Sequence, residues 1–124
     1  AIEVLEAARG LGLKLALLTN GSVQSQTAKI DNAGLRRHFD TVAISDAIGL
    51  KKPEPRAFHH VCDALGHRGS EVLMVGDSPT HDIIGANDAG LRTGWLRRMP
   101  WPDDVAHVYD FAGDDLAEVR KWLE

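Results

Sequence analysis

Two aspartates that follow a short apolar segment are candidate metal ligands. Residues 72–75 are apolar without alternation, which predicts a strand covered on both faces and ending at Gly76. Asp77 stands at the carboxyl end of this strand, and Asp82 falls in the first turn of the helix predicted next. Two carboxylates so placed repel each other unless a cation lies between them, and such oxygen ligands suit Mg²⁺. The alternative is that both acids only cap the helix and complement its dipole.

A second candidate site is the polar turn at residues 19–22, which follows the apolar residues 13–18. Ser22 is a suitable N-cap for a helix over 23–33, so the turn would place a hydroxyl and free backbone amides at a helix N-terminus. Such an arrangement binds phosphate, because the amides donate hydrogen bonds and the helix dipole favours an anion. The Thr19 hydroxyl would be a further donor.

Lys52 would bring a positive charge to the same region. It stands directly before Pro53, and a residue before proline is pushed towards extended geometry, so Lys52 should lie outside the helix predicted over 55–65. A phosphate cradle, an ammonium group and magnesium-binding carboxylates together are what phosphoryl transfer requires. Each alone has an ordinary explanation as a turn residue, a solvated cation or a helix cap. The hypothesis therefore depends on their conjunction.

The candidate residues follow strands in an alternating series of strands and amphipathic helices. This alternation predicts an α/β fold with a mostly parallel sheet. Because ligands in such folds bind at the carboxyl ends of the strands, we expect the candidate residues to converge there. The helices are predicted over residues 2–11, 23–33, 55–65, 80–89 and 114–123, and the strands over 13–18, 41–45, 72–75, 91–96 and 108–111.

Composition limits the classes of function. A chain of 124 residues provides one domain, and its net charge of −4 offers no basic surface for nucleic acid or an anionic membrane. No apolar run has transmembrane length, and no signal peptide is visible. The single cysteine, Cys62, cannot form an intrachain disulfide and falls on an apolar helix face, which predicts a buried thiol. We therefore expect a cytoplasmic protein without nucleic-acid or membrane partners; its oligomeric state stays open.

Three segments resemble motifs of the haloacid dehalogenase (HAD) superfamily of hydrolases. Residues 17–21 resemble the second motif, residues 49–58 the third, and residues 76–82, with the glycines that follow, the fourth. The resemblance spans nearly the whole chain and implies a three-layer α/β/α HAD-like core. The fourth motif is the most specific of the three. True haloacid dehalogenases, which need no metal, resemble Ser-Ser-Asn where this chain has Gly-Asp-Ser. The acidic version favours the Mg²⁺-dependent phosphatases of the superfamily.

The resemblance also implies a role for each candidate residue. Asp77 would bind Mg²⁺ directly, and Asp82 would support either the water ligands of the metal or the functional lysine. The implied phosphate-binding residues are Thr19, Asn20, Gly21 and Lys52, the implied catalytic residues are Lys52 and Thr19, and the implied metal-binding residues are Asp77 and Asp82.

The first motif of the superfamily, an Asp-x-Asp pair on the first strand, has no counterpart in a matching context in this sequence. In the superfamily its first aspartate is the covalent nucleophile, and its second is the general acid and base. The resemblance therefore implies that residues 1–124 are the C-terminal portion of a HAD-like core domain, without the first motif, the central strand or the cap domain. We expect a gap between the strands at 13–18 and 72–75, and an inactive chain when it is alone.

The function expected is Mg²⁺-dependent hydrolysis of the phosphoric monoester of a small phosphorylated metabolite. It would proceed through an aspartyl-phosphate whose aspartate lies outside this chain. The alternative is a non-catalytic HAD-like domain that binds phosphate, a metal or a partner protein. A receiver-like signalling domain is disfavoured, because its acceptor aspartate would also have to end an early strand. An Asp-x-Asp strand accompanying these residues would distinguish the enzyme from the non-catalytic domain.

Overall fold

The computed structural model describes residues 2–123, in which helices and strands alternate. A π-helical segment, Pro79–Ile84, leads into the fifth α-helix. None of the described helices is long and apolar enough to cross a bilayer. The helices are α1 (Ile2–Gly10), α2 (Val23–Asn32), α3 (Ser45–Ile48), α4 (Pro55–Leu65), α5 (Gly85–Asp88) and α6 (Leu116–Leu123). The strands are β1 (Ala16–Thr19), β2 (Thr41–Ile44), β3 (Leu73–Gly76), β4 (Arg92–Leu96) and β5 (Phe111–Gly113).

The strands form two separate sheets, and every pairing in them is parallel, which confirms the predicted α/β class. β1 pairs with β2, while β4 lies between β3 and β5. Within residues 2–123 no strand joins β1 to β3, so the predicted gap in the sheet is confirmed. The strand predicted over 72–75 was expected to be covered on both faces. This was wrong, since every residue of β3 (Leu73–Gly76) is partly exposed. A strand paired on one edge only leaves its other edge open.

Helix α4 anchors the segment that carries Lys52. It packs against β1, β2 and α5, and it begins at Pro55, so Lys52 lies outside it as predicted. Its predicted apolar face is buried, and burying a side chain such as Phe58, which is 1% exposed, contributes about 1.5–3 kcal/mol. The core therefore fixes the position of the residues just before the helix. The buried residues of this face are Phe58, Val61, Cys62 and Leu65.

A second core cluster is aromatic and packs against the π-helical segment. Trp95 of β4 and Trp101 lie with ring centroids 5.0 Å apart and planes at 75°, the edge-to-face arrangement that aromatic pairs favour. Tyr109 lies 5.4 Å from Trp101, and the fully buried Ile83 belongs to the same cluster. The cluster therefore supports the segment that contains Asp82.

The last strand lies further along the chain than predicted. It was predicted over 108–111, whereas β5 begins at Phe111. The backbone amide of Thr93 donates to the Asp110 carboxylate at 2.8 Å, and the Asp110 amide donates to the Thr93 hydroxyl at 3.3 Å. The Asp110 amide also donates to the Thr93 carbonyl at 3.0 Å, so backbone and side-chain hydrogen bonds together join residue 110 to β4 just before β5 begins.

The first strand and the second helix also differ from the prediction. β1 begins at Ala16 instead of residue 13, because the Leu15 amide donates to the Asp40 carboxylate at 2.7 Å in place of a strand partner. Helix α2, predicted over 23–33, ends at Asn32, and the apolar Val23 at its first position is 47% exposed. Ile30 alone is buried among the residues of that helix.

Candidate active site

The turn after β1 is held by side chains from two neighbouring elements. The Thr19 hydroxyl donates to Gln26 Oε1 of α2 at 3.1 Å. The Gly21 amide donates to Ser45 Oγ at 2.8 Å, and the Ser45 hydroxyl lies 3.2 Å from the Gly21 carbonyl, to which it donates. Ser22 caps α2 as predicted. The Gly21 amide is therefore engaged, whereas the sequence suggested a free one.

Asn20 contacts the backbone of Lys52 through both ends of its side-chain amide. The Lys52 backbone amide donates to Asn20 Oδ1 at 2.9 Å, and Asn20 Nδ2 donates to the Lys52 carbonyl at 3.1 Å. The peptide bond from Lys52 to Pro53 is cis. Residues 32 positions apart are thus joined by two hydrogen bonds at the edge of the fold where β1 ends.

The Lys52 side chain reaches across the gap between the two sheets to Asp82. Lys52 Nζ lies 2.8 Å from Asp82 Oδ1, and the two side chains are only 15% and 8% exposed. The other oxygen of Asp82 accepts from the Ser78 amide at 3.2 Å. Because Asp82 holds a cation directly, its repulsion of the neighbouring Asp77 is reduced.

Two glycines leave room for the residues that form this pair. A side chain at Gly76 would overlap Asp82, and a side chain at Gly85 would overlap Pro53, which follows Lys52. A Cβ atom on Gly76 would stand 2.6 Å from Cγ of Asp82, well inside van der Waals contact. A Cβ atom on Gly85 would stand 2.9 Å from Cβ of Pro53, the residue after Lys52. Close backbone approach at these positions therefore places both the lysine and its carboxylate partner.

Asp77 follows β3 as predicted, and its backbone is held from the aromatic cluster. The indole N–H of Trp95 donates to the Asp77 carbonyl at 3.1 Å. Ser78 caps the helical segment by accepting from the His81 amide, with Pro79 at its first position. Within residues 2–123 the Asp77 carboxylate itself makes no hydrogen bond. It is the carboxylate of the site that is available to a ligand.

These contacts unite the three segments that resemble HAD motifs. A family model for haloacid dehalogenase-like hydrolases matches residues 1–90, which include all of the candidate residues. The chain belongs to this family. Its motif-bearing turns follow β1 and β3, as the resemblance implied, and the lysine of the third segment connects them.

Relatives and solved structures agree with the family. The chain is 44% identical to the phosphoserine phosphatase of Thermus thermophilus over 93% of its own length and 46% of that protein. It is 34% identical to a HAD phosphatase from Thermococcus onnurineus, with a TM-score of 0.88 over 98% of the chain and 55% of that structure. The HAD-hydrolase YfnB of Bacillus subtilis, solved bound to magnesium, is 26% identical with a TM-score of 0.86 over 99% of the chain and 54% of that structure.

This HAD-like chain spans about half the length of the curated relatives it matches. The match to the solved HAD phosphatase confirms the HAD-like core predicted from the motifs. The assignment of residues 1–124 to one domain stays a prediction.

The donor set suits Mg²⁺ at Asp77 better than at Asp82. Both oxygens of Asp82 are occupied, by Lys52 and by the Ser78 amide, which favours its implied role as a support of the lysine. Among residues 2–123 no three His, Cys, Asp or Glu side chains are grouped to bind a metal. Mg²⁺ nevertheless binds in many phosphoryl-transfer sites through one or two carboxylates, with water and substrate oxygens as its other ligands. Asp77 fits that pattern.

Three residues that the sequence did not indicate belong to the site. Gln26 and Ser45 hold the turn after β1, and Trp95 holds the backbone of Asp77. Ser45 directly follows β2, so its place at the carboxyl end of a strand was a signal that could have found it. Gln26 and Trp95 lie inside regular elements, where their spacing carries no such signal.

Proposed function

We propose that this HAD-like chain is the metal- and phosphate-binding part of a Mg²⁺-dependent phosphatase that hydrolyses the phosphoric monoester of a small phosphorylated metabolite. The observation that carries the proposal is the nearly buried pair of Lys52 and Asp82, which joins the turn after β1 to the turn after β3. A nearly buried ammonium held at the carboxyl edge of parallel strands is suited to neutralise a phosphoryl group.

In this proposal each residue has one task at the phosphate. The Thr19 hydroxyl donates to a phosphate oxygen, exchanging its present bond to Gln26. The Lys52 ammonium neutralises the phosphoryl oxygens while Asp82 keeps it in place. Asp77 would hold Mg²⁺, which when bound offsets the charge of both the phosphate and the nucleophile.

The nucleophile is proposed to be an aspartate outside these residues, on a strand that occupies the gap between β1 and β3. One of its carboxylate oxygens attacks phosphorus, and the bond from phosphorus to the substrate oxygen breaks, so that the alcohol leaves with a proton from a neighbouring acid. Water then attacks the aspartyl-phosphate, and inorganic phosphate is released. The open edges of β1 and β3 support this placement, because an apolar parallel strand normally has neighbours on both sides.

The comparisons support the proposal without extending it to a particular substrate. The phosphoserine phosphatase relative acts on a phosphate monoester, and the YfnB structure contains magnesium. A net charge of −4 argues against nucleic acid and anionic membranes as partners. A single buried cysteine fits a reducing compartment, so we propose a cytoplasmic location.

The experiment is an Asp77→Asn substitution in the intact protein, with phosphate release from a panel of phosphorylated metabolites measured against Mg²⁺ concentration. We expect at least about a 100-fold loss of turnover, because the amide cannot replace the carboxylate as a metal ligand. Asp88→Asn is the control, since Asp88 lies exposed at the end of α5 and should leave turnover unchanged. Undiminished activity of Asp77→Asn would refute the metal assignment.

The nucleophile assignment has a separate test. We expect the 124-residue chain alone to release no phosphate even at high Mg²⁺ concentration. Turnover by that chain would refute an aspartate outside it. Phosphate binding without turnover by the intact protein would instead indicate the non-catalytic domain.

A further inference from the structure

We infer that Asn20 is a positioning residue for Lys52 and acts on phosphate only through it. The inference rests on the proposed function, because it concerns how the lysine is aimed at the phosphoryl group. The resemblance implied a different role, in which Asn20 itself binds phosphate. The contacts of its side chain argue for the indirect role.

The side-chain amide of Asn20 matches the backbone of Lys52 as a strand partner would. Its oxygen accepts from the Lys52 amide at 2.9 Å, and its nitrogen donates to the Lys52 carbonyl at 3.1 Å. Both backbone groups of one residue are thereby satisfied by one side chain. Two opposed hydrogen bonds fix the orientation of that residue as well as its distance.

Helix α4 determines where the segment before it lies, but no helix or strand among residues 2–123 makes backbone hydrogen bonds to Lys52 itself. The residue lies between α3 and α4, outside any helix or strand. Its side chain is long, with several rotatable bonds between the backbone and the ammonium group. A small displacement of the backbone therefore moves the ammonium relative to both Asp82 and a bound phosphate.

The arrangement also explains how one lysine can serve two separate sheets. Asn20 directly follows β1 and holds the backbone of Lys52, whereas Asp82 belongs to the segment after β3 and holds its ammonium. With no described strand between β1 and β3, these contacts link the two halves of the site. Removing the Asn20 contacts would leave Lys52 without its hydrogen bonds to the turn after β1, held only through α4 and through its ion pair with Asp82.

The test is a double-mutant cycle in the intact protein with Asn20→Leu and Lys52→Met. Asparagine and leucine are similar in size, so the first change removes both hydrogen bonds with little change in volume. We expect Asn20→Leu to lower kcat/KM for phosphate release, and the affinity for inorganic phosphate by calorimetry, roughly 10- to 100-fold, as a misplaced catalytic group does. In the Lys52→Met background the same change should cause no further loss, because there is no ammonium to misplace.

Additive losses would overturn the inference, since they would show that Asn20 contacts phosphate independently of Lys52. An unchanged Asn20→Leu variant would overturn it as well. If Lys52→Met alone left phosphate release intact, the proposed function would fail, and the inference would fail with it. The two failures are therefore distinguishable.

Two further variants serve as controls for effects on folding. Asn20→Ala removes the same bonds with a smaller side chain, and it should reproduce the loss if Asn20→Leu is unstable. Thr93→Val removes a hydroxyl that bonds the Val108 carbonyl and the Asp110 amide, away from Lys52. It should lower the melting temperature while leaving phosphate affinity unchanged. A loss of phosphate affinity in Thr93→Val equal to that in Asn20→Leu would reduce the effect to general destabilisation and overturn the inference.

Discussion

Lys52 and Asp82 form a nearly buried ion pair, with 2.8 Å between the ammonium nitrogen and a carboxylate oxygen. Removing two charges from water is costly, and their mutual attraction offsets that cost only while both are present. The pair also connects the third motif of this HAD-like chain to the fourth. Its loss should therefore affect both the stability of the chain and its proposed chemistry.

The first prediction concerns the coupling of this pair. Lys52→Met and Asp82→Asn should each lower the free energy of unfolding by about 3 kcal/mol, because each leaves the partner charge buried and unpaired. The double variant should lose clearly less than the sum of the two. Urea denaturation at pH 7 measures all three values.

The exposed pair of Arg36 and Asp31 is the matched control. Its atoms lie 2.9 Å apart, but the two side chains are 50% and 53% exposed. Arg36→Ala should cost less than about 1 kcal/mol, since solvent screens such a pair. Equal losses of unfolding free energy in Lys52→Met and Arg36→Ala would contradict the claim that burial makes the Lys52–Asp82 pair more important for stability.

The second prediction concerns the close approach of β3 to Asp82. In Gly76→Ala the new methyl would overlap the Asp82 carboxylate, so that side chain must move away from Lys52. We expect a loss of about 1–3 kcal/mol of stability by urea denaturation, together with a loss of phosphate release by the intact protein. Gly10→Ala is the control, since nothing lies within 4 Å of a Cβ atom there. A stable and active Gly76→Ala variant would show that Asp82 need not stay in place.

The sequence predicted the positions of the site residues better than their partners. Thr19 and Asp77 were found because each stands at the carboxyl end of an apolar strand, a position that sequence pattern reveals. The partners of Asn20 were not predicted, because a contact across 32 residues depends on how loops pack. For Asp82 the motif left two roles open, and the 2.8 Å contact with Lys52 favours the support of the lysine.

Element types were predicted correctly where apolar periodicity is strong, and boundaries failed where side chains replace strand pairing. Helix α4 has a full apolar face and was found from Pro55 to Leu65. At the last strand, which begins at Phe111, the Asp110 carboxylate accepts from the Thr93 amide, a hydrogen bond that no apolar pattern encodes. The partial exposure of β3 was missed for a different reason: its unbroken apolar run was interpreted as a strand covered on both faces, although the missing first motif predicted a gap beside it.

The third prediction concerns the indole of Trp95, which holds the Asp77 backbone. Trp95→Phe keeps an aromatic ring beside Trp101 but removes the donor to the Asp77 carbonyl. A hydrogen bond of this kind contributes about 1 kcal/mol, so Mg²⁺ affinity by calorimetry should fall roughly fivefold. Trp101→Phe is the control, because its indole donates to the Val105 carbonyl instead. Equal losses in both variants would indicate a general effect of the aromatic cluster.

The fourth prediction concerns acid stability at the start of β1. The Leu15 amide, and to a smaller extent Arg9, hold the pKa of Asp40 below its usual value of 3.8. A carboxylate with a depressed pKa stabilises the fold above the unfolded pKa, and this contribution is lost as pH falls through the folded pKa. Wild type should therefore exceed Asp40→Asn in unfolding free energy above pH 4, with the difference disappearing at lower pH in urea titrations. Arg9→Met should keep most of that pH dependence; its complete loss would contradict the Leu15 bond as the main cause.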